Sequence, residues 1–123
     1  MTDLHTHILP GIDDGSKNVQ TSLALLRSEY AQGVEQIALT PHFNFENQTI
    51  KEFLQRRDAA ARQLWLPFRN AELPQYMKLG AEIFYSAQLA EVDPQPLCLT
   101  GTNLLLIEFP PAYHPRGAED VLY

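Results

Sequence analysis

Short apolar runs alternate along this chain with longer segments whose apolar residues recur every three or four positions. That alternation constrains the fold more than any other feature. Strands separated by helices must run parallel, joined by crossovers, with helices covering the sheet. In residues 3–8, Leu4, Thr6 and Ile8 interleave with Asp3, His5 and His7 at the two-residue period of a strand. Val19, Leu23, Leu26 and Tyr30 then mark one helical stripe, with Asn18 as N-cap and Gly33 as stop. Residues 34–40 read as a second strand ending at Pro41-His42. Thr49 and Glu52 form a capping box for a helix carrying Ile50, Phe53, Leu54, Arg57, Ala61, Leu64 and Phe68, which Pro67 should end near Leu66. Residues 76–85 hold a third strand, and residues 86–92 suit a short helix. Residues 103–109 form a continuous apolar strand of the kind buried on both faces, followed by a helix start at residues 116–123.

This order, β-α-β-α-β-(α)-β, without repeats or linkers, fits a single α/β domain in a chain of 123 residues. A hydrophobic fraction of 45% is that of an ordinary folded protein. The net charge of −6 and the lack of a basic stretch argue against nucleic acid as a partner. The same charge repels small anions unless bound cations reverse the field locally. Cys98 is the only cysteine, which precludes an internal disulfide and any CxxC site and fits a reducing compartment. The N-terminus has no basic and apolar leader pattern, and no apolar run approaches membrane-spanning length. A cytoplasmic location is therefore expected, and the Asn47-Gln48-Thr49 sequon is read as coincidence.

The polar residues fall where parallel folds place their chemistry, at the carboxyl ends of strands. His5 and His7 share one face of the first strand, His42 follows the second, and Glu82 and Glu108 lie in the third and fourth. Imidazoles two residues apart on a strand can converge on one cation or on neighbouring cations; the alternative is one packed and one exposed histidine. Asp3 shares that face and could ligate or orient a histidine. His42 could equally be a loop cap, and Arg116 could pair with Glu108, which otherwise interrupts an apolar strand at high cost. Mixed imidazole and carboxylate donors suit Mn²⁺, Fe²⁺ or Zn²⁺, and several carboxylates favour more than one ion. Asp13 and Asp14 sit between Gly11 and Gly15. They are either plain turn residues or, in Asp14, an acid that assists a leaving oxygen or orders a water. Trp65, Phe53 and Phe68 read as packing residues. Phe84, Tyr85, Phe43 and Phe45 could border a substrate, although core or surface positions suit each better, and His114 reads as surface. No P-loop, nucleophile elbow or dinucleotide fingerprint is present.

The ordered set "DLHTHILPGIDDG", "ALTPH", "GAEIFY" and "LLIEFP" resembles the PHP superfamily, and within it the CpsB/CapC type of protein-tyrosine phosphatase. The resemblance implies a distorted β/α barrel with up to three metal ions, usually manganese. It implies hydrolysis of phosphotyrosine on a protein, the partner being a bacterial tyrosine kinase that controls capsular or extracellular polysaccharide synthesis. His5, His7, His42, Glu82 and Glu108 match the family's ligands, and Asp14 matches an acidic residue near its site. The family's later segments, with a further histidine in an H-x-E-R-like stretch and an Asp and His near the end, have no counterpart here, so residues 1–123 resemble the N-terminal portion of such a domain. About four parallel strands cannot close a barrel. A fragment, a truncated gene, or pairing with a second copy would each account for the open side. Histidinol-phosphatase-like hydrolysis of a small phosphoester and an inactive metal-binding or interaction module are the rival functions.

Overall fold

A computed structural model describes residues 1–109. Its elements are β1 (Thr2–Asp3), α1 (Val19–Ala31), β2 (Gln36–Leu39), β3 (His42–Phe43), α2 (Ile50–Asn70), β4 (Tyr76–Leu79), β5 (Glu82–Phe84) and β6 (Leu106–Glu108). Two 3₁₀ turns, Ala87–Glu91 and Gln95–Leu97, lie between β5 and β6. The strands form two three-stranded parallel sheets, ordered β1-β2-β4 and β3-β5-β6. This is an unclosed β/α barrel.

The third predicted strand is divided into β4 and β5 around Gly80, and the second continues past Leu39 into β3. The break has a local cause. Pro41 has no amide hydrogen to give a ladder. Pairing nevertheless crosses it, through Gly80 N–H to the Leu39 carbonyl and Glu82 N–H to the Pro41 carbonyl, both 2.9 Å.

Both predicted helix starts hold. The Asn18 side chain accepts from the Thr21 amide at 2.8 Å, and Thr49 and Glu52 form the reciprocal capping box. The predicted end at Pro67 does not hold, because α2 continues to Asn70. Phe68 is buried in the core and draws the last turn onto it, while Gln63, whose carbonyl loses its amide partner, is exposed to water. Packing thus overrides the proline. The first strand is also shorter than its alternation suggests. Ladder pairing stops at Asp3, and His5 and His7 follow in extended chain outside the sheet.

Two apolar clusters hold these layers together. Ile8, Leu9, Leu26, Val34, Ile37, Leu39, Leu64 and Phe68 join the first sheet to both helices. Phe43, Phe53, Ala81, Ile83, Leu89 and Leu97 fill the second sheet's outer side. Phe53 and Phe68 are core as expected, as is Phe43, but Tyr30 is exposed and Trp65 is 57% exposed, stacked beside Phe68 with ring centroids 6.4 Å apart. β6 is only half-buried, and Leu104 before it is 59% exposed, because among the described residues β6 lies at a sheet edge with one neighbour. His114, Arg116 and the predicted final helix lie outside the described residues.

Candidate metal centre

Parallel register determines which side chains meet. His42 pairs directly with Glu82, and Phe84 pairs with Glu108. Side chains two apart on a strand share a face, so Glu82, Phe84 and Glu108 point the same way with His42 beside them. The extended segment after β1 brings His5 and His7 over the same face. Residues far apart in sequence thus converge around Glu82.

The Glu82 side chain is 6% exposed and meets three imidazoles. One carboxylate oxygen contacts His5 Nε2; the other lies 2.8 Å from His42 Nδ1 and 3.8 Å from His7 Nε2. His5 Nε2 and His7 Nε2 face each other at 3.1 Å, and the His7 and His42 rings stack with centroids 4.4 Å apart. Among the described residues, no lysine or arginine ion-pairs with Glu82. A buried carboxylate is costly without a cation, and neutral imidazoles supply lone pairs rather than charge. Three donor groups, each with atoms within 4.8 Å of one another, share these residues: His5, His7 and Glu82; His7, Asp13 and His42; His42, Glu82 and Glu108. The donor set and its spacing fit divalent cations.

Asp13 does more than its position in a turn suggests. Its Oδ2 accepts from His7 Nδ1 at 3.0 Å and from the His42 amide at 3.2 Å, and its Oδ1 accepts from the Gly15 amide at 2.9 Å. Burial opposes ionisation here, yet the two amides and the His7 imidazole together hold the carboxyl below its ordinary value. A carboxylate that takes the Nδ1 proton leaves His7 Nε2 free to bind a cation. Gly15 makes this arrangement sterically accessible. A Cβ there would lie 2.3 Å from the His7 carbonyl oxygen, so the loop can lie against His7 only at a residue with no side chain. The glycine thus serves a close approach of chain to chain. Arg56 ties the same loop to α2 by donating to the Ile12 carbonyl at 2.8 Å.

Asp14 is 86% exposed, at the rim, with its Oδ1 3.4 Å from His42 Nε2, and it belongs to none of the three donor groups. Asp3 belongs to none of the three donor groups. Its carboxylate accepts from the His5 backbone amide at 3.1 Å and adjoins Glu29 of α1, whose carboxyl is pushed up to about 7 by burial and by the Asp3 charge. Phe84 is partly exposed on the face that holds Glu82, and Tyr85 stacks on Phe109. A cleft of about 390 Å³ opens beside His5 and His7, walled by Thr21, Leu25 and Glu29 of α1. Pattern reading missed Glu29, because its relation to Asp3 is purely spatial. It missed the hydroxyls of Thr6 and Thr40 for the same reason.

The family model described as "Capsular polysaccharide synthesis, CpsB/CapC" matches residues 1–122. The chain belongs to the CpsB/CapC family. It lies within the PHP superfamily that the ordered set of four motifs resembles. Relatives in this family include the tyrosine-protein phosphatase YwqE of Bacillus subtilis, 34% identical over all of this chain and 48% of the relative. The tyrosine-protein phosphatase CpsB of Streptococcus pneumoniae is 33% identical over 89% of this chain and 45% of the relative. A crystal structure from work on YwqE and CpsB, described as unique metal-dependent tyrosine phosphatases, superposes with a TM-score of 0.82 at 31% identity. It covers 98% of this chain and 49% of the solved one. The chain thus spans about half the length of the CpsB/CapC relatives it matches.

Proposed function

We propose that this chain carries the first part of the metal centre of a phosphatase that hydrolyses phosphotyrosine on a protein. The observation that supports it most directly is the buried Glu82 carboxylate shared by imidazoles from two separate chain segments, with no lysine or arginine among the described residues paired to it. His5, His7, His42, Glu82 and Glu108 would hold the ions, Mn²⁺ being the expected metal and up to three ions the full complement. Fe²⁺ and Zn²⁺ suit the same donors. When bound, such cations supply Lewis acidity and a water that is nucleophilic at neutral pH.

The chain's own groups perform the rest. Asp13 takes the His7 Nδ1 hydrogen and so aims Nε2 inward. Glu82 presents one oxygen to His5 and the other to His42, and would hold cations from both sides. Asp14, exposed at the rim beside His42 Nε2, is placed to order a water or hand a proton to the leaving phenolate. Phe84 offers an apolar edge to an aromatic substrate on the same face.

The substrate that fits this reading is a bacterial tyrosine kinase governing capsular or extracellular polysaccharide synthesis, acted on in the cytoplasm. No helix among the described residues is long and apolar enough to cross a membrane. Residues 1–123 would form the N-terminal portion of the phosphatase domain. The test is turnover of a phosphotyrosine peptide and of histidinol phosphate, with and without Mn²⁺, by this chain and by the longest product of its gene. Mn²⁺-dependent release from the peptide by the longer product is expected. Preference for histidinol phosphate would move the substrate class to small phosphoesters. Metal binding without turnover by either polypeptide would leave a non-catalytic metal-binding module.

A further inference from the structure

His5 and His7 lie outside the sheet, yet their imidazoles must keep a fixed distance from His42 and Glu82. Ladder pairing of the first strand ends at Asp3 opposite Ile37. What joins the two histidine segments beyond that point is a pair of threonines. The Thr40 amide donates to the Thr6 carbonyl at 3.0 Å, as in a parallel ladder. Such a ladder would next send the Thr6 amide to the Ala38 carbonyl. Instead the Thr6 amide donates to Thr40 Oγ1 at 3.0 Å, and Thr40 Oγ1 donates back to the Thr6 carbonyl at 3.1 Å. The Ala38 carbonyl is taken by the Thr6 hydroxyl at 2.7 Å. Two hydroxyls therefore take the place of the direct Thr6 amide to Ala38 carbonyl bond, while the neighbouring backbone bond from the Thr40 amide remains.

The location gives the insertion its meaning. Thr6 sits between His5 and His7, and Thr40 is separated from His42 only by Pro41, which can donate no bond of its own. Both threonines are buried, at 6% and 2% exposure, so water cannot replace either hydroxyl. On the far side, the Thr40 methyl packs beside Gly80, two residues before Glu82; a Cβ on Gly80 would lie 3.4 Å from it.

We propose that the Thr6–Thr40 clasp is a positioning device that fixes the spacing of the His5–His7 pair against His42 and Glu82, with the Thr40 hydroxyl as its central element. The inference rests on the metal-site reading above and adds residues that contact no ion. The two faces of Thr40 separate by substitution. Thr40→Val keeps the methyl contact and volume but leaves the Thr6 amide unpaired; Thr40→Ser keeps the hydroxyl and loses the methyl.

The test is calorimetric titration of the 123-residue chain with Mn²⁺ alone, alongside thermal melting of the metal-free proteins. Thr40→Val is expected to weaken Mn²⁺ binding about tenfold, the effect typical of losing a group that orients a ligand, with Thr40→Ser remaining within about twofold of wild type. Equal affinity in wild type and folded Thr40→Val overturns the proposal. Equal weakening in both variants also overturns it, since packing rather than the hydroxyl would then control the site. If Thr40→Val does not fold, Thr40→Ala decides on the same criteria. If neither folds, the clasp is a folding determinant and the proposal falls. Failure of wild type to bind Mn²⁺ is distinct from these: it removes the metal-site reading itself, and the clasp's role with it.

Discussion

Replacing Gly15 by alanine probes the tight approach of the Asp13 loop to His7 in the candidate metal centre. The new Cβ would sit 2.3 Å from the His7 carbonyl oxygen and 2.4 Å from His7 Cβ. Ordinary carbon contacts need about 3.5 Å or more, so the loop and the histidine segment must part by about 1 Å. Two hydrogen bonds span that gap, Ser16 N–H to the His7 carbonyl at 2.9 Å and His7 Nδ1 to Asp13 at 3.0 Å, and both would be lost. Overpacking costs about 1–3 kcal/mol, and each broken bond about 1 kcal/mol. A loss of about 3–5 kcal/mol follows, a large share of the 5–15 kcal/mol that holds a typical domain. Urea denaturation of the metal-free protein measures it. Release of His7 from Asp13 should also weaken Mn²⁺ binding by about 10–100-fold, which titration measures. Gly33→Ala is the control. Gly33 has φ +86° with nothing within 4 Å of a new Cβ, so only backbone strain of about 1 kcal/mol applies and Mn²⁺ affinity should not change. If Gly15→Ala unfolds at the wild-type urea midpoint and binds Mn²⁺ as tightly, the account of the loop as a support for His7 is wrong.

Asp13→Asn must set its amide hydrogens against an N–H donor on one side or the other, from Gly15 or from His7 and His42. Mn²⁺ affinity should fall about 10–100-fold, and ¹⁵N NMR should show the His7 ring losing its fixed Nδ1–H tautomer. Because the Asp13 carboxyl is held below 3.8 in the folded chain, its contribution to metal-free stability is present above that pH and is lost as pH falls through the lower folded value. Urea midpoints measured down the acid limb should therefore drop less steeply in the variant. Glu29 has the opposite sign. Raised from 4.5 to about 7, it supports the fold below 4.5 and this support disappears as pH rises through 7. Glu29→Gln should flatten the decline in urea midpoint between pH 5 and 8; an unchanged decline would show that Asp3 and Glu29 do not share a proton. Thr49→Ala, which opens the exposed capping box of α2, should cost about 1 kcal/mol in urea denaturation and leave Mn²⁺ binding unaltered.

Local chemistry written in the sequence determined the element types, the parallel arrangement and both helix caps, because hydrophobic period and capping residues act within one or two turns of chain. It also singled out His5, His7, His42, Glu82 and Glu108, because titratable groups at strand ends stand out against apolar runs. Tertiary structure decided matters that depend on distance across the fold. Burial of Phe68 carried α2 through Pro67, and Pro41 divided the long strands while neighbouring amides kept them paired. Asp13, rather than Asp14, became the carboxylate that grips His7, because Gly15 lets the loop settle on the histidine backbone. The Thr6–Thr40 clasp and the Asp3–Glu29 pair have no sequence signature, since their partners are 34 and 26 residues apart and meet only after the sheet and α1 are assembled.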